Sequence, residues 1–324
     1  MNKVVVVGLG SMGRRRIRLM QTLESPPCIV GVDCSEERLR QAETEFGIET
    51  SASLDEAIAA HRPDAALVCT SPAGHGPIVM RCLEAGLDVF MEINLAGDWY
   101  GMAESLAAKN GRKLFLSSTF LYHPQIEYII KAVRGAKVDY IYHSGQYLPD
   151  WHPWENYRNF FVSERNTNAC REILAIEFPW IIKAFGQVES FHVMKDKNSS
   201  LEIDFPDNFM ISLKHKNGCK GIFCQDVISR KGMRGLEVYA ENIHLFWDGR
   251  EQMLSRYDMA RKKVLPVELP EAPALSYPSL SYLENVYREE TRSFLDFLSG
   301  GAVPRHSFAE DKYVLDLIDG IEGV

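Results

Sequence analysis

Short, fully apolar runs alternate with amphipathic stretches through the first third of the chain. Val4-Val5-Val6-Val7 is β-branched throughout and predicts a strand buried on both faces. Behind it, Arg14 to Leu23 places Ile17, Leu19, Met20 and Leu23 near helical spacing, with Met12 just ahead. Cys28–Val32, Ala65–Cys69, Asp88–Met91 and Lys113–Leu116 read as further buried strands. Between them, Ser35 predicts the N-cap of a helix stopped at Gly47, and Ser53 caps another with Glu56 placed for a capping box. Pro77 marks a helix start, and Tyr100 to Asn110 reads as a helix ended by Gly111. Repeated strand and helix with short connections predict a doubly wound parallel sheet.

The texture changes after about residue 120. Val138 to Gln146 alternates like a strand, and residues 147–168 are rich in aromatics, Asn and Pro, as in a long loop. Ala169 to Phe185 reads as a helix ended by Gly186. Strand-like runs follow at Val188–Lys195, Phe209–Lys214, Gly221–Asp226, Glu237–Ala240 and Ile243–Trp247, which suggests an antiparallel sheet. Residues 264–280, with four prolines, read as a long connection before closing helices at Tyr282–Leu298 and Ala309–Ile321. The expected division is 1–120 and 121–324.

Gly8-Leu9-Gly10-Ser11-Met12-Gly13 sits between the first strand and the first helix. In that context G-x-G-x-x-G has a mechanism. The first glycine permits the turn, the second lets backbone approach a pyrophosphate, and the third lets helix pack on strand. The helix N-terminus then offers unpaired N–H groups to the anion. Asp33 ends the second strand 20 residues beyond Gly13, where an acid binds ribose hydroxyls and repels a 2′-phosphate. NAD is therefore the expected cofactor, with Arg38 and the arginines after Gly13 leaving NADP open. Ligands of such sheets lie beyond the strand carboxyl ends, so Gly8, Asp33, Thr70, Glu92 and Ser117 are expected to line one crevice.

The net charge of −8 and pI near 5.7 argue against nucleic acid or an anionic membrane as partner. The one basic cluster, Arg14-Arg15-Arg16 with Arg18, reads as a solvated helix face or as help for a cofactor phosphate. No apolar run approaches the roughly 18 to 20 residues needed to cross a bilayer. The glycine turn interrupts the first apolar run too early for a signal peptide. The seven cysteines are scattered without a C-x-x-C pair, so neither a disulfide framework nor a zinc site is indicated. A cytoplasmic location is expected.

The early glycine motif, the loop Thr70-Ser71-Pro72-x-x-His75, the turn at Glu92 and the later sheet resemble the glucose–fructose oxidoreductase / inositol dehydrogenase (Gfo/Idh/MocA) family over nearly the whole chain. The resemblance implies an N-terminal Rossmann domain followed by an α+β domain on a large, mostly antiparallel open sheet that often builds an oligomer interface. It also implies NAD(P)-dependent oxidation or reduction of a hydroxyl or carbonyl on sugars and cyclitols. Gly8, Gly10, Ser11, Met12, Gly13, Asp33, Thr70, Ser71, Pro72, His75, Glu92 and Asn94 become the expected cofactor-binding set.

The chemical motifs depart from the family. Its Glu-Lys-Pro reads Glu92-Ile93-Asn94 here, so the usual lysine is absent and Asn94 offers an amide in place of proline. Its Asp-x-x-x-His-x-x-Asp maps to Glu172, Ile176 and Pro179, where one acid survives. Hydride transfer needs a partner for the hydroxyl proton, with a pKa near neutral. Glu172 leads, because partial burial on an apolar helix raises a carboxyl pKa. Glu177 and His152 are further catalytic candidates, Glu177 against an alternative as a structural ion pair. Pro179 is expected to disturb the helix beside it. Tyr122, Trp151, Trp154 and Arg171 are the expected substrate contacts, aromatic faces and fixed polar groups being suited to a sugar. A sensor or assembly protein that binds the dinucleotide without turnover is the alternative from another class. A lyase or epimerase using NAD transiently is a third.

Overall fold

The computed structural model describes residues 3–153, 155–250, 252–270, 283–301 and 303–323. The chain divides into two compact units, Met1–Tyr122 with Pro273–Tyr313, and His123–Ala272 with Val314–Val324. A cut at 120 therefore differs from the observed division. The chain returns to the first unit after residue 272, because the helix that follows supplies a carboxylate its buried arginine needs.

The first unit is built on β1 (Lys3–Val7), β2 (Cys28–Val32), β3 (Glu49–Ser51), β4 (Ala65–Val68), β5 (Asp88–Met91) and β6 (Leu114–Leu116). Their order is 3-2-1-4-5-6, parallel throughout, which is the doubly wound arrangement. Val4, Val5 and Val6 are completely buried, as an uninterrupted β-branched run requires. The strands alternate with α1 (Ser11–Gln21), α2 (Glu36–Phe46), α3 (Leu54–His61), α4 (His75–Glu84) and α5 (Tyr100–Asn110). Ser35 and Ser53 cap α2 and α3 by accepting the N–H of Arg38 and Glu56. Gly47 and Gly111 end α2 and α5 in the left-handed region, at φ +62° and +63°. The three-residue β3 carries no period long enough to be read from sequence.

The second unit opens with α6 (Pro124–Val133), β7 (Asp139–Gly145) and α7 (Ala169–Phe185). Two meanders follow, β8 (Val188–Asp196), β9 (Asn208–His215) and β10 (Lys220–Asp226), then β11 (Met233–Ala240), β12 (Ile243–Asp248), β13 (Met253–Asp258) and β14 (Lys263–Pro266), with β7 between them. These strands form one sheet in the order 14-13-12-11-7-10-9-8, antiparallel except for the parallel pair β7–β10. α7 packs on one face, where Tyr140 stacks on Phe185 at 4.0 Å and Phe223 meets Phe178 edge-on. The other face leaves Ile141, Met194, Met210 and Ile222 exposed. α8 (Glu284–Leu298) belongs to the first unit, and the division between units falls within α9 (Phe308–Glu322).

Two expectations need correction, and one element stands where none is expected: α6, with Pro124 at its first turn and His123 capping it by accepting the Gln125 N–H at 3.2 Å. β14 reaches into residues 264–266, expected to be connection, where Val264 and Leu265 pair with Tyr257 and Arg256 of β13. α7 runs unbroken through Pro179, which costs the helix only one N–H donor while Phe178 and Trp180 on either side stay buried.

Candidate functional site

The glycine turn carries three different demands. Gly8 lies at φ +94°, donates its N–H to the Val32 carbonyl at 2.8 Å, and has the Cys69–Thr70 backbone where a Cβ would stand. A Cβ on Gly13 would meet the Gly8 carbonyl oxygen at 1.8 Å, so only glycine lets α1 pack this close. A Cβ on Gly10 would meet nothing within 4 Å. That open space lies at the N-cap of α1, where no side chain supplies a cap and no acid stands in the first turn. Ser11 is exposed and Met12 half-buried beside it. Space over the second glycine and an uncapped helix start fit an extended phosphate-bearing ligand.

Asp33 ends β2 as expected. Its Oδ2 accepts the Leu9 N–H at 2.8 Å and its Oδ1 the Ser35 N–H at 2.9 Å, so the acid braces the turn with lone-pair capacity to spare. Arg38, more than half exposed, holds Nη1 3.6 Å from Asp33 Oδ2. The acid suits ribose hydroxyls and the guanidinium suits a 2′-phosphate, so both cofactor forms stay open.

Beyond β4, Thr70 and the extended Ser71 lead into a short helical turn, Pro72–Gly74, that runs into His75. His75 is buried, and its Nε2 donates to the Thr70 carbonyl at 2.9 Å. Burial lowers its pKa against that hydrogen bond, so the ring is neutral and Nδ1 is an acceptor. Asn94, also buried, donates Nδ2 to Tyr100 Oη at 3.0 Å, and Tyr100 donates to Asp311 at 2.6 Å. His306 joins Asp311 at 3.0 Å. The chain of bonds sets the Asn94 amide, leaving its Oδ1 and His75 Nδ1 as buried atoms without a partner. A proline at 94 could not enter this network.

Within the basic cluster, Arg16 departs from a solvated face, while Arg14 and Arg18 pair with Glu45 at the surface. Arg16 is completely buried, with Nε 2.6 Å from Glu92 Oε1 and Nη2 2.7 Å from Glu290 Oε2 on α8. Burial alone would favour the neutral guanidine, but the two carboxylates hold the pKa above its ordinary value. Glu290 also accepts the Ser118 N–H at 2.6 Å and the Thr119 hydroxyl at 2.9 Å. The Glu92 carboxylate, expected at the cofactor, is thus committed to Arg16. The signal was present: Gly13, Arg16, Ile17 and Met20 are all buried at helical spacing, so Arg16 lies on the packed stripe.

Glu177 emerges as the structural ion pair rather than a proton carrier. Its Oε2 accepts from Tyr142 Oη and Trp180 Nε1, each at 2.7 Å. Its Oε1 accepts from Ser144 Oγ at 3.2 Å and from Arg234 at 3.0 and 2.8 Å. Both oxygens are served by donors, and the residue has no exposed surface. Arg171, expected at substrate, is buried with Nη2 2.7 Å from Asp319 and Nη1 2.5 Å from Glu322. It anchors α7 to the end of α9. Tyr122 is also buried. It stacks near Phe115 with the Arg305 guanidinium 4.7 Å from its ring, so it is a core residue of the first unit.

Glu172 is different. It is half-buried on the first turn of α7, its Oε2 has no hydrogen-bond partner, and burial pushes its carboxyl up to about 7. Asn168 caps this helix by accepting the Arg171 N–H at 2.7 Å. In the loop ahead, Trp151 donates Nε1 to the Gln146 carbonyl at 3.1 Å. His152 packs on Phe160, with Nδ1 3.9 Å from Glu155. Trp154 lies outside the described residues.

The comparisons agree with this geometry. Residues 2–116 match a family model described as an oxidoreductase family with an NAD-binding Rossmann fold, Gfo/Idh/MocA. A 4-carboxy-2-hydroxymuconate-6-semialdehyde dehydrogenase of Sphingobium sp. strain SYK-6 is 24% identical over 131 residues, 39% of this chain and 41% of that protein. The chain thus spans less than half the length of that relative. A levoglucosan dehydrogenase solved with NADH and levoglucosan superposes with TM-score 0.80 at 17% identity, covering 99% of this chain and 96% of that one. A biliverdin reductase of Synechocystis sp., solved with biliverdin and NADP+, gives TM-score 0.76 at 17% identity over 98% and 97%. A sugar and a tetrapyrrole on one fold leave the substrate to be argued from side chains. No helix among the described residues is long and apolar enough to cross a membrane. Residues 2–116 are thus similar to the Gfo/Idh/MocA oxidoreductase family, and the N-terminal sheet has the parallel 3-2-1-4-5-6 order of a Rossmann fold.

Proposed function

We propose that the protein is an NAD(P)-dependent oxidoreductase acting on a hydroxyl or carbonyl of a sugar, cyclitol or sugar acid, with Glu172 as its acid–base group. The glycine turn at Gly8, Gly10 and Gly13 would hold the pyrophosphate, Asp33 and Arg38 the adenosine ribose, and the Thr70 loop with Asn94 the remainder. When bound, the nicotinamide supplies or accepts hydride. Glu172 takes the proton released as a hydroxyl is oxidised, or returns it in reduction, which suits a carboxyl near 7. Trp151 and His152 offer faces and polar atoms for a polyol. The exposed row Ile141, Met194, Met210 and Ile222 supports a homo-oligomer through the sheet face.

The observation that carries an enzyme over a sensor is the unpaired, half-buried carboxyl of Glu172. A scaffold has no use for a carboxyl left without a partner. The test is NADH and NADPH titration by fluorescence, followed by turnover on a panel of hydroxy sugars and sugar acids. Glu172→Gln should lower turnover about 10²- to 10⁴-fold with cofactor affinity unchanged. Tight NADH binding without turnover on any polyol would favour the sensor.

A further inference from the structure

We infer that the end of the C-terminal sheet beside the aromatic loop carries an oxyanion subsite, for a carboxylate or phosphate on the substrate, with Arg230 as its principal donor. The argument stays within the second unit. The backbone at 146–148 pairs with that at 226–229: Tyr147 donates its N–H to the Ser229 carbonyl at 2.8 Å and Leu148 to Val227 at 2.9 Å. Arg230 follows, and its guanidinium carbon lies over the Tyr147 ring, 3.6 Å from its centroid. A ring under one face fixes the plane of the fork and leaves its N–H edge outward. Arg230 is exposed and has no hydrogen bond or ion pair among the described residues.

The neighbouring charges make that informative. Asp226 is the closest acid in sequence, and its oxygens are taken. Oδ1 accepts the N–H groups of Ile228 and Ser229 at 2.9 and 2.7 Å, and Oδ2 meets Ser229 Oγ and His143 Nε2 at 2.9 and 2.7 Å. Burial would raise its pKa, but those four bonds hold it below the ordinary value. Glu177 is spent on Arg234. Arg250 donates Nη2 to Gln146 Oε1 at 2.5 Å and packs where a Cβ on Gly232 would stand, adding a second guanidinium to the same end. Lys231 is exposed beside Arg230. Asp150, Glu155 and Glu164 are the exposed acids of residues 147–168. In a chain of net charge −8, this cluster of positive charge, with Asp226 and Glu177 already bonded, is the exception. A stacked guanidinium with a free edge binds a planar carboxylate in bidentate fashion and a phosphate comparably.

The inference rests on the oxidoreductase reading only in taking this end of the sheet as the substrate end. Its test is made without dinucleotide. The full chain is titrated with D-gluconate, inorganic phosphate and D-glucose at constant ionic strength, followed by tryptophan fluorescence. At least one oxyanion should saturate at a concentration about tenfold below glucose, and the better of the two names the group. Arg230→Gln should weaken that binding about tenfold, and Arg230→Lys about threefold, since lysine keeps the charge and loses the fork. No saturable response to either oxyanion, an equal response to glucose, or unchanged binding in Arg230→Gln would each overturn the subsite. NADH titration of the same samples separates the two readings: loss of NADH binding counts against the proposed function, and loss of oxyanion binding alone counts against this one.

Discussion

Helices α1 and α7 each begin where a ligand would be expected, yet they begin in opposite ways. α1 starts on Gly10 with no side-chain cap, no acid in its first turn, and open space ahead. α7 starts on Asn168, whose side chain takes the Arg171 N–H, and carries Glu172 in its first turn. The first is left open for an anion. The second is closed by its own chain, so whatever chemistry it supports is carried by a side chain. Further along, both helices bury a charge that is fully paired: Arg16 between Glu92 and Glu290, and Glu177 on Arg234. The contrast separates charges that the fold has paired from Glu172, the acid of α7 whose Oε2 has no hydrogen-bond partner.

The largest test of the contrast is Arg16→Met. It strands Glu92 and Glu290 in the core, and should cost about 3–5 kcal/mol in urea unfolding. A loss under about 1 kcal/mol would mean the cluster is solvated after all. Gly13→Ala comes next: with a carbonyl oxygen 1.8 Å from the new Cβ, α1 must shift off β1. The expected loss is about 3 kcal/mol, at the upper end for overpacking. Gly10→Ala should separate stability from binding. Its methyl enters open space, so stability should stay within about 1 kcal/mol, while NADH affinity falls about tenfold or more. Equal damage from both glycine variants would erase the distinction drawn between them.

The last test concerns the pH dependence that Glu172 confers. Its folded pKa, about 7, lies above the ordinary 4.5, so the folded chain binds the proton more tightly than the unfolded one. Stability associated with that proton is fully present below pH 4.5 and is lost as pH rises through 7. Wild type should therefore lose stability relative to Glu172→Gln across that window and run parallel to it above. Thermal melts of the two proteins from pH 4.5 to pH 8.5 measure the difference. Parallel curves throughout would mean that Glu172 is an ordinary solvated acid.

Much of this molecule was legible in local pattern. The Val4–Val7 run, the glycine string, the serine caps and the glycine stops each encode their own geometry within a few residues, so the parallel sheet and its turn follow from the sequence alone. α7 and most of the second sheet were legible for the same reason. The roles of individual charges were not. Arg16, Glu177 and Arg171 look alike in sequence to residues that bind ligands, and Tyr122 looks like a residue lining a cleft. Their partners stand far along the chain, Glu290 at 274 residues from Arg16 and Glu322 at 151 from Arg171. Backbone conformation is set by neighbours in sequence, whereas the fate of a charge is set by which opposite charge the fold delivers to it. Only the tertiary structure could decide that Glu177 is spent and Glu172 is not.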